Sequence, residues 1–133
     1  MTARIVEKRF EDRIKRLGLT RLYWCILLAC NFENLTYPSD IARFIGVDRT
    51  AISRALKQME ANGFIERETG QSDRRTTTVK ITKHGAELTE KSAEIARENS
   101  AYFLGKLGEE DCTELKHLLL KLRTGEKRDL PGL

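Results

Sequence analysis

Apolar residues recur along this chain in a helical rhythm, interrupted at one place by a two-residue alternation. Residues 3–17 place Ile5, Val6, Phe10, Ile14 and Leu17 toward one side, which predicts an amphipathic helix ended by Gly18. Residues 20–31 are apolar nearly all round, the mark of a buried spine. Asn34–Thr36 reads as a turn, followed by a short extended piece up to Pro38. Ser39 is then expected to cap a short helix over Asp40–Ile45, with Asp40 in its first turn. Gly46 closes that helix, and Asp48 caps the next, in which Ile52, Leu56 and Met59 form one buried stripe. Asn62-Gly63 supplies a left-handed exit.

Beyond Gly63 the period changes to two. Phe64–Glu68 predicts a strand, Gly70–Arg75 a polar turn, and Thr76–Thr82 a second strand with Thr77, Val79 and Ile81 on one face. Thr82 caps a long helix to about Leu107 whose apolar positions (Ala86, Ala93, Ala96, Tyr102, Phe103) are sparse and small, too polar to pack alone. Gly108 breaks it, and Glu109–Leu122 forms a last helix with Leu115, Leu118, Leu119 and Leu122 on one side. The fold class is mainly α with a small β-hairpin, and the order helix, helix, strand, turn, strand is that of a winged helix-turn-helix.

At 133 residues the chain has room for one domain with a modest core. No apolar run approaches the roughly 20 residues that span a bilayer, and the N-terminus lacks a signal-peptide pattern, so the expected location is cytoplasmic. The net charge of +4 is unevenly spread. Residues 1–21 and 43–83 are basic, whereas residues 84–133 are slightly acidic. Charge of this size suits either a solvated helix face or a nucleic-acid surface. Cys25, Cys30 and Cys112 are an odd number in an apolar helical context, which argues against a disulfide framework.

Burying Ile52, Leu56 and Met59 turns Arg49, Thr50, Ser53, Arg54 and Lys57 outward. A helix fits the major groove, where small hydroxyls approach bases or phosphates and arginine pairs with guanine. Thr50, Ser53 and Arg54 are the candidates for base edges, Arg49 and Lys57 for phosphates. Ser39 and Lys80 complete the set on the flanking elements. The hairpin tip carries Asp73, Arg74 and Arg75. An arginine there can enter the adjacent minor groove, drawn by its negative potential, with the aspartate holding the guanidinium.

These stretches resemble the MarR family of bacterial and archaeal transcription regulators. The resemblance is carried by Val47-Asp48-Arg49-Thr50-Ala51-Ile52-Ser53-Arg54, by Met59-Glu60-Ala61-Asn62-Gly63-Phe64-Ile65-Glu66-Arg67, by Asp73-Arg74-Arg75 and by Ile81-Thr82-Lys83-His84-Gly85. It covers about residues 20–105 by motif and the whole chain by element order, with a first helix shorter than the family's. It implies a homodimer with interleaved terminal helices (residues 1–20 and 84–125) and a DNA-binding winged lobe (residues 32–83) meeting each half of a pseudo-palindromic operator in double-stranded DNA. It also implies that Asp73 orients Arg75 into the minor groove while Arg74 takes a neighbouring phosphate. Regulators of this family often respond to small aromatic or phenolic effectors, and some to cysteine oxidation. Phe10, Tyr23, Trp24, Phe32 and Tyr102 can line such a pocket or serve simply as core and interface aromatics.

The expected function is therefore a sequence-specific, ligand-responsive repressor. The alternatives are a winged-helix module that binds an acidic protein partner and a cysteine-based redox sensor of the same fold. Cys25 and Cys30 are five apart and do not share a helix face, which speaks against redox sensing, and the same spacing of Cys112 and His117 is poor for a metal pair on one helix. No phosphate loop, nucleophile elbow or metalloprotease motif is present, and no enzyme or cofactor is expected.

Overall fold

The computed structural model describes residues 1–70 and 76–126. Helix α1 (Thr2–Ile14) runs into a 3-10 turn (Lys15–Leu17). Then come α2 (Arg21–Phe32), α3 (Pro38–Ile45), α4 (Arg49–Ala61), β1 (Ile65–Thr69), β2 (Thr77–Ile81), α5 (Lys83–Leu104) and α6 (Glu109–Leu122). The mainly helical architecture with one antiparallel hairpin is the expected fold class. Helix α2 is its spine: Cys25, Ile26, Leu27 and Ala29 are buried among α3, α4, α5 and β2.

The capping residues act largely as their chemistry demands. Asp48 Oδ1 accepts the Ala51 N–H at 2.8 Å and starts α4, and Thr82 Oγ1 accepts the Gly85 N–H at 3.0 Å and starts α5. The expected Ser39 cap is corrected. Helix α3 begins two residues earlier, at Pro38, with Tyr37 as an uncapped lead-in. Proline has no N–H to leave unsatisfied and its φ is already helical, so it opens a helix without a side-chain cap. The first strand starts one residue later than expected, at Ile65, with Phe64 buried in the turn before it.

Helix α5 departs most from expectation. It ends at Leu104 rather than near Leu107, closing through a tight turn in which Lys106 and Leu107 donate to the carbonyls of Phe103 and Leu104. It also packs within the chain, against α1 and α2. Leu88, Ile95 and Ala96 supply apolar contact, while Thr89, Ser92 and Asn99 are buried polar residues. Each is satisfied locally or across the interface. Thr89 donates to the Gly85 carbonyl, Ser92 to the Thr89 carbonyl, and Asn99 donates to the Val6 carbonyl while accepting from Arg9. A helix with small satisfied polar groups can therefore serve as an inner surface. Helix α6 is the reverse case, having no buried residue at all.

Candidate nucleic-acid interface

Helices α3 and α4 meet through a short turn, with Ile41, Ala42 and Ile45 on one side and Ile52, Ala55, Leu56 and Met59 on the other forming a common core. Packing that stripe leaves Arg49, Thr50, Ser53, Arg54 and Lys57 exposed along one flank of α4. Among the described residues, no carboxylate pairs with the three cations of this flank. Their charge is thus directed to solvent.

Between the start of α3, the exposed flank of α4 and the base of the hairpin lies a cleft of about 450 Å3, lined by Tyr37, Ser39, Arg49, Ser53, Arg67 and Thr76 among others. The structure brings Ser39 of α3 together there with Arg49 and Ser53, one turn apart on α4. Thr50, Arg54 and Lys57 are exposed on α4 but do not line the cleft. Lys80 is exposed on β2, directly across the ladder from Glu66. Asp73, Arg74 and Arg75 lie outside the described residues.

Two further residues of this face had no signal in the periodicity. Glu60, in the last turn of α4, accepts from Arg67 on β1 through the Nε at 2.9 Å, the Nη2 and the backbone N–H at 3.2 Å. The hydrogen bond from the Arg67 guanidinium, followed by its charge, holds the Glu60 carboxyl below its ordinary range. The two residues are seven apart across a helix–turn–strand junction, a spacing no single element pairs.

The aromatic candidates divide. Phe10 and Trp24 meet edge to face, with centroids 4.6 Å apart, in the wall of a cavity of about 190 Å3 between α1, α2 and α5. Glu7, Glu11, Arg21 and Asn99 also line it, and Arg21 donates to Glu7 at 2.9 Å. Tyr23 is half-buried outside this lining, and Tyr102 is half-exposed beneath the Arg9 guanidinium, 4.0 Å from its ring centroid. Phe32 is exposed. Of the expected grouping, this cavity brings together Phe10 and Trp24, whereas Tyr23 and Tyr102 do not line it. Burial pushes the thiols of Cys25 and Cys30 up to about 11, so neither supplies an appreciable thiolate at neutral pH. Among the described residues there is no cluster of three or more metal-ligating side chains, and no helix is long and apolar enough to cross a membrane.

A model of the MarR family matches residues 17–76, from the turn after α1 to the foot of β2. Among solved structures, apo MarR from E. coli is similar over 90% of this chain and 89% of its own, with 21% identity and a TM-score of 0.81. A mutant of that E. coli protein has been solved in complex with operator DNA, and there the TM-score is 0.73. The transcriptional regulator SlyA shares 28% identity over 92% of this chain and 86% of its own, at a TM-score of 0.70. The organohalide-sensing regulator RdhR-CbdbA1625, in its 2,4-dichlorophenol-bound form, shares 20% identity over 94% of this chain and 75% of its own, at a TM-score of 0.75. Residues 17–76 thus match the MarR family, and the chain as a whole has the fold of E. coli MarR and SlyA.

Proposed function

We propose that this chain is a sequence-specific DNA-binding transcription regulator that acts as a homodimer on a pseudo-palindromic operator and represses until an effector releases it. The observation that carries the reading is the division of α4: Ile52, Leu56 and Met59 are buried, while Arg49, Thr50, Ser53, Arg54 and Lys57 are exposed beside the hairpin. Small hydroxyls between cations suit base edges and phosphates. A protein-binding core would favour aromatics instead, which speaks against the interaction-module alternative. In this reading Ser39 and Lys80 add flanking contacts, Arg75 reaches the minor groove with Asp73 orienting it, and Arg74 takes a phosphate. Its role is binding rather than catalysis, as for the transcription regulators it resembles.

Dimerisation is supported by α6. Leu115, Leu118, Leu119, Leu120 and Leu122 are all exposed, from 36% to 76%, and Ile5 on α1 is 56% exposed. A second copy that covered four of these leucines would gain, for each, about half of the roughly 1.5–3 kcal/mol that burying a fully exposed leucine gives. Two-fold symmetry then sets half-sites about one helical turn apart, roughly 10 base pairs.

The effector reading rests on the cavity walled by Phe10 and Trp24. At about 190 Å3 it is smaller than the roughly 300–1,000 Å3 of drug-sized sites, and so suits a single substituted ring. The dichlorophenol bound by RdhR-CbdbA1625 is of that kind. The protonated state of Cys25 and Cys30 disfavours the redox alternative at those positions.

Selection of bound sequences from a random DNA pool tests the function directly. The expected product is an inverted repeat with half-sites about one turn apart. Recovery of unenriched DNA refutes it.

A further inference from the structure

A two-stranded ribbon such as β1–β2 is only marginally stable alone, and nothing internal to it sets its angle to the neighbouring helices. Its base is held by the buried side chains of Ile65 and Val79 and by the Thr82–Phe64 bond, and one rung further along adds polar ties to the neighbouring helices. The register places Arg67 opposite Val79. In an antiparallel ladder, alternate rungs turn both backbone N–H groups outward, away from the partner strand. Arg67–Val79 is such a rung, and both outward donors engage other elements. The Val79 N–H donates to the carbonyl of Thr36, in the segment leading to α3, at 2.8 Å. The Arg67 N–H donates to Glu60 Oε1 at 3.2 Å, and Glu60 Oε2 accepts from the Arg67 Nε at 2.9 Å. One rung is therefore bolted on its β1 edge to the reading helix and on its β2 edge to the approach to α3.

We propose that Glu60 is a positioning residue for DNA recognition, fixing the hairpin at one angle to α4 so that both meet the duplex together. This rests on the DNA-binding reading above. Without Glu60 the outer donor of the rung loses its acceptor and the Arg67 side chain its anchor. The part of the hairpin beyond its buried base is then held less firmly to α4, and the cost of ordering it falls on the binding step. Charge alone points the other way: deleting a carboxylate from a DNA-facing lobe strengthens its attraction to phosphates. The two effects have opposite signs, so one substitution separates them.

The experiment compares Glu60→Ala and Glu60→Gln with the unmodified protein. Dissociation constants are measured for the selected operator and for an unrelated duplex of equal length, across a salt series, with a melting curve for each variant. Glu60→Ala is expected to weaken operator binding about tenfold, roughly 1.4 kcal/mol, while the unrelated duplex binds as well as before or better. Glu60→Gln keeps a carbonyl acceptor for the Arg67 N–H and is expected to recover part of the loss. In a cycle with Arg75→Ala, the two losses should sum to less than full additivity, because a wing without its contact has nothing left to position.

Operator binding by Glu60→Ala as tight as the unmodified protein, or a loss that adds in full to that of Arg75→Ala, overturns the proposal. So does Glu60→Gln behaving like Glu60→Ala at equal melting temperature. If Glu60→Ala unfolds at the assay temperature, Glu60→Gln and Arg67→Lys provide the same comparison, and normal operator binding by both is likewise fatal. Failure of the unmodified protein to select any sequence is a different result, and refutes the DNA-binding reading itself.

Discussion

Gly85→Ala sets two elementary effects against each other. Gly85 lies in the first turn of α5, where alanine is the better helix former by about 1 kcal/mol. Propensity alone therefore predicts stabilisation. Its surroundings predict the reverse. A Cβ at Gly85 would stand 2.0 Å from the Phe64 carbonyl oxygen, 2.9 Å from Ile81 Cγ2 and 3.0 Å from the Phe64 carbonyl carbon. The nearest of these atoms is backbone, in a turn already fastened to α5: the Thr82 N–H donates to the Phe64 carbonyl, and Thr82 Oγ1 donates to the Gly63 carbonyl at 2.6 Å. Neither side can yield without breaking those bonds.

Overpacking of this kind costs about 3 kcal/mol, at the upper end of the usual range. At this chain length that lowers the melting temperature by roughly 10 °C. Gly63→Ala is the matched control. Gly63 has φ +74° with nothing within 4 Å of an added Cβ, so its cost is conformational alone, about 1 kcal/mol and a few degrees. Calorimetry at fixed protein concentration measures both, and the concentration must be held because association shifts melting. A Gly85→Ala protein that melts at or above the unmodified temperature, or level with Gly63→Ala, refutes the close-approach argument. Because this contact joins the winged lobe to α5, operator affinity should fall in parallel.

Three further outcomes follow from the same geometry. Leu118→Glu with Leu119→Glu on α6 should turn a dimer into a monomer in sedimentation at micromolar concentration, and a dimer that survives the pair removes α6 from the interface. Arg54→Ala should weaken operator binding by about 1–3 kcal/mol and relax preference at one base position per half-site, whereas a uniform loss across all sequences would reassign Arg54 to a phosphate. Arg21→Gln addresses pH: the hydrogen bond from Arg21 holds the Glu7 carboxyl below its usual range. That pair therefore contributes stability above the ordinary carboxylate range and loses it as pH falls through the depressed value. The melting difference between Arg21→Gln and the unmodified chain should be full at neutral pH and vanish in acid, and a constant difference would exclude the pair as its source.

Much of the fold is legible because it is local. The stripe Ile52, Leu56, Met59 forces one face of α4 inward whatever surrounds it, and Asp48 and Thr82 cap by chemistry that reaches only three residues ahead. The change of period after Gly63 announces the hairpin for the same reason. Misreadings arise where a residue's role depends on something far along the chain. Helix α5 reads as too polar to pack alone because hydropathy cannot register that Thr89 and Ser92 bond to carbonyls of their own helix and Asn99 to the Val6 carbonyl of α1. Tyr102 groups with Phe10 and Trp24 by kind, yet it is half-exposed against Arg9 and does not line their cavity.

Periodicity and short-range capping thus suffice to say that this chain makes a helix-turn-helix with a hairpin beside it, and which side of α4 points to solvent. They act over one or two turns, so every chain with this pattern obeys them. The Glu60–Arg67 bolt, the cleft that gathers Ser39, Arg49 and Ser53, and the contact of Gly85 with Phe64 depend on the path of the backbone between elements. A difference of a few ångströms in that path makes or breaks each of them, and folding in three dimensions is what settles it.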